Sequence, residues 1–140
     1  MRLELPDKKK LVYETRFPIR WGDMDAMGHV NNTSYFRFME IVRIEWANTI
    51  GENLDANTVQ GMVIVNAFCT FHKQFEFPGD ILARMYVSDP GRTSFETWTT
   101  MTRTDQPDAV YASGGATIVW SDYSRQKSVP LPDPIRTLVS

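Results

Sequence analysis

The sequence predicts an α+β domain in which one long helix is wrapped by a curved antiparallel sheet of about five strands. Three observations predict it. Residues Asn32 to Ile50 contain neither Pro nor Gly and carry apolar residues at helical spacing. From Met62 onward the apolar pattern changes to period two. The period-two segments are joined by short Pro/Gly/Asp turns, which make sequential strands antiparallel neighbours.

A first strand is expected from Tyr13 to Trp21, after a solvated leader carrying Lys8, Lys9 and Lys10. The segment Gly22-Asp23-Met24-Asp25-Ala26-Met27-Gly28-His29 reads as a loop. Asn31 and Asn32 are both good N-caps, and Gly51 sits where a helix places a left-handed residue. Tyr35, Met39, Val42 and Trp46 form one stripe, which Phe36, Phe38, Ile41, Ile44 and Ala47 widen. Such a helix is expected to be covered on more than one side. Arg37, Glu40 and Arg43 are spaced to pair along its surface, so Glu40 reads as structural.

Beyond a polar linker, Glu52 to Gln60, Met62 to Cys69 is an almost continuous apolar run. Phe71, Phe75 and Phe77 are expected to share one strand face up to the break at Pro78-Gly79-Asp80. Ile81, Ala83, Met85 and Val87 alternate in the next strand, and Phe95 to Thr104 follows the Asp89-Pro90-Gly91-Arg92 turn. After a turn at Asp105 to Asp108, one face of the last strand reads Val110, Ala112, Gly114, Ala116, Ile118, Trp120. Its small middle would let the helix approach closely. The tail from Asp122, with Pro130, Pro132 and Pro134, is expected to be extended.

A chain of 140 residues, 42% hydrophobic and 23% charged, is expected to be a single domain over residues 1–140. A net charge of −2 supplies no field for a nucleic-acid partner. Cys69 is the one cysteine, so no intrachain disulfide can form, which suits a reducing compartment. Two histidines and that cysteine cannot build a Cys/His zinc cluster from one chain. The apolar runs are too short for membrane insertion, and MRLELPDKKK lacks a signal-peptide pattern. The expectation is a cytoplasmic protein.

The chemistry concentrates in Arg20 to Asn32. Two carboxylates, one imidazole and two amides precede a long helix, whose first N–H groups lack intrahelical partners and whose dipole is positive there. That end can stabilise an oxyanion, and an upstream carboxylate can be held beside the same carbonyl. Ordinary capping and turn roles are the competing reading for Asp23, Asn31 and Asn32. Gly28 could serve only a positive φ. Asp23, Asp25 and His29 match no strong metal motif.

The stretch WGDMDAMGHVNNTSYFRFMEIVRIEW resembles the start of the 4-hydroxybenzoyl-CoA thioesterase-like branch of the hot-dog acyl-CoA thioesterases. Val65-Asn66-Ala67 through Phe71 and Pro78-Gly79-Asp80 add to the likeness, which covers roughly residues 14 to 122. The resemblance implies a hot-dog fold and a homodimer joined edge to edge, often paired into a tetramer. It implies hydrolysis of an acyl-CoA to a carboxylic acid and CoA without a cofactor or metal. Asp25 would be the catalytic carboxylate, as nucleophile or as general base. Backbone N–H groups around Asn32 and Thr33 would bind the thioester oxygen. Gly28, His29 and Asn66 would line the site, and a partner strand between Gly61 and Asn66 would contribute.

Phe36, Met39, Met62, Val63 and Phe71 could line an acyl tunnel, or be plain core. Lys73, Arg84, Arg92 and Arg103 are cations available to CoA phosphates. Two alternatives stay open: a hot-dog acyl-thioester hydratase or dehydratase, and a non-catalytic acyl-CoA-binding protein. Three residues separate Asp25 from His29, and no Asn-Pro occurs between them. That spacing departs from the hot-dog hydratase motif.

Overall fold

A computed structural model of the chain describes residues 3–51 and 59–140. The elements are β1 (Lys10–Pro18), a 3-10 turn (Trp21–Asp23), α1 (Asn32–Thr49), β2 (Gln60–Phe71), β3 (Asp80–Ser88), β4 (Ser94–Arg103), β5 (Gln106–Asp122), β6 (Lys127–Ser128) and α2 (Asp133–Val139). The linker anticipated at Glu52 to Gln60 lies mostly outside the described residues.

The strands form one antiparallel sheet in the order β1-β3-β4-β5-β2, with β6 paired to the end of β5. Five strands thus make the main sheet, as the turn spacing implied, and β6 is a short addition.

The 18 residues of α1 make about five turns. Asn31 is its N-cap, its Oδ1 accepting the Thr33 N–H at 2.9 Å, and Gly51 follows the helix at φ 82°. Tyr35, Phe38, Met39, Val42, Trp46 and Ala47 are buried. Phe36 and Ile44 remain 39% and 44% exposed, so among the described residues one side of the helix stays uncovered, where cover on more than one side was expected. Arg37 Nη1 bonds Glu40 Oε1 at 2.8 Å, which gives Glu40 its surface ion-pair role. The helix rests on the small stretch of β5 around Gly114.

Four expectations are corrected. The first strand spans Lys10–Pro18 and Trp21 opens the 3-10 turn, because Pro18 ends the ladder. Lys10 is therefore no solvated leader residue: it starts β1, and its Nζ donates to the Leu138 carbonyl at 3.0 Å. β2 ends at Phe71, and Phe75 and Phe77 lie in the bent segment beyond it, Phe75 fully buried and Phe77 41% exposed. The tail is not extended throughout: Leu131, Ile135 and Val139 recur every four residues and bury one face of α2.

On the predicted face of β5, Ala112, Ala116, Ile118 and Trp120 are buried, whereas Val110 is 42% exposed near the strand's start. Among the described residues, no helix is long and apolar enough to cross a membrane.

Candidate functional site

Between β1 and α1 the chain folds back on itself. Met24 and Val30 form an isolated antiparallel bridge, and the Asp25 N–H donates to the His29 carbonyl at 2.8 Å. Gly28, at φ 82°, makes the turn between them and donates to the Asp25 carbonyl at 3.2 Å. The loop is pinned to the body: the Asn31 N–H donates to the Asp23 carbonyl at 2.8 Å, and the Val30 N–H to the Phe75 carbonyl at 2.9 Å.

The two aspartates are used differently. Asp23 Oδ2 accepts the Arg20 N–H at 2.9 Å and closes the 3-10 turn. Asp25 Oδ1 accepts two backbone N–H groups, from Met27 at 2.9 Å and from His29 at 3.3 Å. Among the described residues Asp25 Oδ2 has no partner. One oxygen orients the carboxylate, and the other is available to a ligand.

Asp25, Met27, His29, Val30, Asn32, Tyr35, Phe71 and Gln74 line a cleft of about 420 Å³. The cleft therefore brings together Asp25, His29 and Asn32 from the sequence-derived set. Thr33 is at the same helix end, but its N–H and its hydroxyl both donate to Asn31 Oδ1, at 2.9 and 2.8 Å. That leaves the Asn32 N–H as the first-turn donor without an acceptor among the described residues. Gly28 shapes the loop and is not part of the lining. The His29 Nε2 lies 3.6 Å from Glu76 Oε1.

Asn66 lies elsewhere. It belongs to β2, next to the bulge between Ile64 and Asn66, and its Oδ1 accepts the Thr117 N–H at 3.3 Å. With Phe68, Glu96, Trp98 and Thr117 it lines a separate hollow of about 420 Å³. Of the proposed tunnel residues, only Phe71 reaches the Asp25 cleft. Met39 is core at 1% exposure, Phe36 and Val63 are partly exposed, and Met62 packs against the core.

The cations also separate. Arg103 is occupied: its guanidinium bonds the Glu76 and Pro78 carbonyls, both at 2.9 Å, and Asp105 at 2.9 Å. Arg84 is paired with Glu14 at 2.7 Å. Lys73, one residue before Gln74 of the cleft, has its Nζ over the Tyr111 ring, 5.7 Å from its centre. Burial pushes the Cys69 thiol up to about 12, so it stays protonated and is no nucleophile at neutral pH.

Tyr35 and Gln74 were not anticipated in the site. Tyr35 sits in the apolar stripe, where its hydroxyl gives no periodic signal. Gln74 falls in a segment whose alternation suggested a strand.

Residues 19–138 match the model of the thioesterase-like superfamily. PA2801 of Pseudomonas aeruginosa, named as a candidate thioesterase, is 31% identical, with a TM-score of 0.89 over 94% of this chain and 100% of that one. The gentisyl-coenzyme A thioesterase BH1999 superposes at TM-score 0.80 with 22% identity, over 91% and 100% of the two chains. Slr0204 of Synechocystis, a 1,4-dihydroxy-2-naphthoyl-CoA thioesterase, superposes at 0.82 with 15% identity, over 91% and 94%. These two likenesses are of fold. No curated protein sequence matches the chain. The chain therefore belongs to the thioesterase-like superfamily, a hot-dog fold family whose reaction class is thioester hydrolysis.

Proposed function

We propose that the chain hydrolyses acyl-CoA thioesters at the cleft between the Asp25 loop and the start of α1. The observation that carries this reading is the pairing of two unspent groups in one cleft. One is Asp25 Oδ2; the other is the Asn32 N–H at the positive end of an 18-residue helix.

A thioester carbonyl oxygen at Asn32 would gain charge as the carbonyl carbon is attacked, and the helix end would stabilise it. Asp25 acts in one of two ways. As nucleophile it forms a C–O bond while the C–S bond breaks, and water then hydrolyses the mixed anhydride. As general base it takes a proton from the attacking water. In both, the leaving thiolate takes up a proton as free CoA, and the acyl group ends as a carboxylate. The chain supplies all these groups without a metal or cofactor.

Phe71 and Tyr35 would bound the acyl group, and Lys73 is the cation nearest in sequence to the cleft lining. The partly exposed β2 edge supports assembly. Val63, Ile64 and Val65 are 36%, 40% and 55% exposed on a 12-residue strand that pairs on one side only among the described residues. Such an edge invites a second copy of the chain. We place the dimer there, with residues 61 to 66 of β2 brought to the neighbouring cleft and Asn66 among them. Two dimers would make a tetramer. The working compartment on this reading is the cytoplasm.

Thiol release over a panel of acyl-CoAs tests the reading. Free CoA from saturated acyl-CoAs supports it. Loss of enoyl absorbance without thiol would support a hydratase instead, and tight binding with neither reaction a sensor.

A further inference from the structure

Tyr35 is three residues past Asn32, on the face of α1 that meets the cleft, and helical side chains lean toward the N-terminus. It is 2% exposed. Its ring is fixed by Phe71 at 4.8 Å and 87°, and by Phe75 at 5.7 Å and 34°. Its Oη accepts the Phe75 N–H at 3.2 Å. That bond uses an oxygen lone pair and sets the rotation of the ring. The hydroxyl proton has no acceptor among the described residues.

An unmet buried donor carries an uncompensated desolvation cost, and native proteins leave few of them. Here the residue that carries the unmet donor lines the cleft that also holds Asp25. Burial pushes the phenol above its ordinary value, the Phe75 N–H opposes this, and Cys69 and then Asp25 add smaller upward pushes. The group is therefore a neutral O–H donor across the physiological range.

We propose that the Tyr35 hydroxyl donates a hydrogen bond to the acyl carbonyl oxygen of the bound thioester, as a second donor beside the Asn32 N–H. This rests on the proposed acyl-CoA site and adds a catalytic residue to it. Two donors from one helix turn, one backbone and one side chain, would hold the oxygen while Asp25 approaches the carbon. Phe75 would position Tyr35 without touching substrate.

The test pairs a variant with two ligand types. Phenacyl-CoA and 2-oxoheptyl-CoA keep a carbonyl but cannot release thiol. Phenethyl-CoA and heptyl-CoA are the matching thioethers without it. Calorimetry on the full chain should show Tyr35→Phe weakening the best-bound ketone about 3–10-fold more than its thioether, the range of one net hydrogen bond. In thiol release, kcat should fall at least about 10-fold, below the usual effect of an oxyanion donor, with KM within about threefold. Equal weakening of ketone and thioether, or kcat within threefold of the unaltered chain, overturns the proposal and leaves the thioesterase reading standing. Ketone-selective weakening in a chain that releases no thiol upholds the hydrogen bond and overturns hydrolysis. Binding of none of the four ligands overturns both. Should Tyr35→Phe not fold, 3-fluorotyrosine at position 35 keeps the hydroxyl and sharpens its acidity. It should then tighten the ketone relative to the thioether, and an unchanged ratio overturns the proposal.

Discussion

Gly114 and Met39 meet with no room for a side chain between them: a Cβ on Gly114 would stand 2.6 Å from the Met39 sulfur and 2.5 Å from the Phe68 carbonyl oxygen. This contact sets how deeply α1 rests on β5, and so where the helix start meets the Asp25 loop.

Gly114→Ala should therefore destabilise the fold by about 1–3 kcal/mol, the usual cost of overpacking. Met39 can shift but the Phe68 carbonyl is held in the β2–β5 ladder. Urea unfolding, read as a lower midpoint at unchanged slope, measures it.

The chain should not be a monomer. Its solution mass should be at least twice the 16.1 kDa of one chain. Replacing Val63 and Val65 together by Lys should shift the mass toward one chain, since charge on an edge strand opposes pairing. Light scattering on both proteins checks this. A single-chain mass for the unaltered protein at micromolar concentration would contradict it.

Asp122 should supply stability that is present at neutral pH and lost in acid. Its Oδ1 accepts the Ser124 hydroxyl at 2.7 Å, the Ser124 N–H at 3.0 Å and the Arg125 N–H at 3.1 Å, and its Oδ2 bonds Arg125 Nε at 3.0 Å. Led by the Ser124 hydroxyl bond, these contacts hold the carboxyl down at about 2. A lowered folded-state value means stability that is complete above the ordinary carboxylate range and is lost as pH falls from about 4 toward about 2. Thermal unfolding from pH 7 to pH 2 should show Asp122→Asn losing Tm at neutral pH and approaching the unaltered chain in acid.

The fold was legible where one periodicity dominated. Tyr35, Met39, Val42 and Trp46 marked the helix, and the small residues of β5 marked its seat. Pro78 and the aromatic alternation before it misled: Phe75 leaves the ladder because its backbone is needed by Val30 and Tyr35. The proline tail hid α2, because Pro134 occupies the first turn, where a missing N–H is harmless. At the site, two adjacent asparagines could each have been the cap. Choosing Asn31 spends the Thr33 N–H and frees that of Asn32, a distinction that spacing cannot carry.

Asp23→Asn should cost kcat clearly less than the same change at Asp25. Asp23 holds the Arg20 N–H at 2.9 Å, and an amide oxygen can accept the same bond. Parallel kcat measurements on the two variants check this.

The central claim is that Asp25 is the reacting carboxylate. Asp25→Asn keeps an acceptor for the Met27 and His29 N–H groups and removes only the charge. Steady-state thiol release by the purified, correctly assembled variant, on the best acyl-CoA of the panel, is the most direct test. The account predicts a kcat at least about 10²-fold below that of the unaltered chain, the lower end of general-base effects, with acyl-CoA affinity kept. A kcat within a few fold of the unaltered chain, or a loss no greater than that of Asp23→Asn, would contradict it.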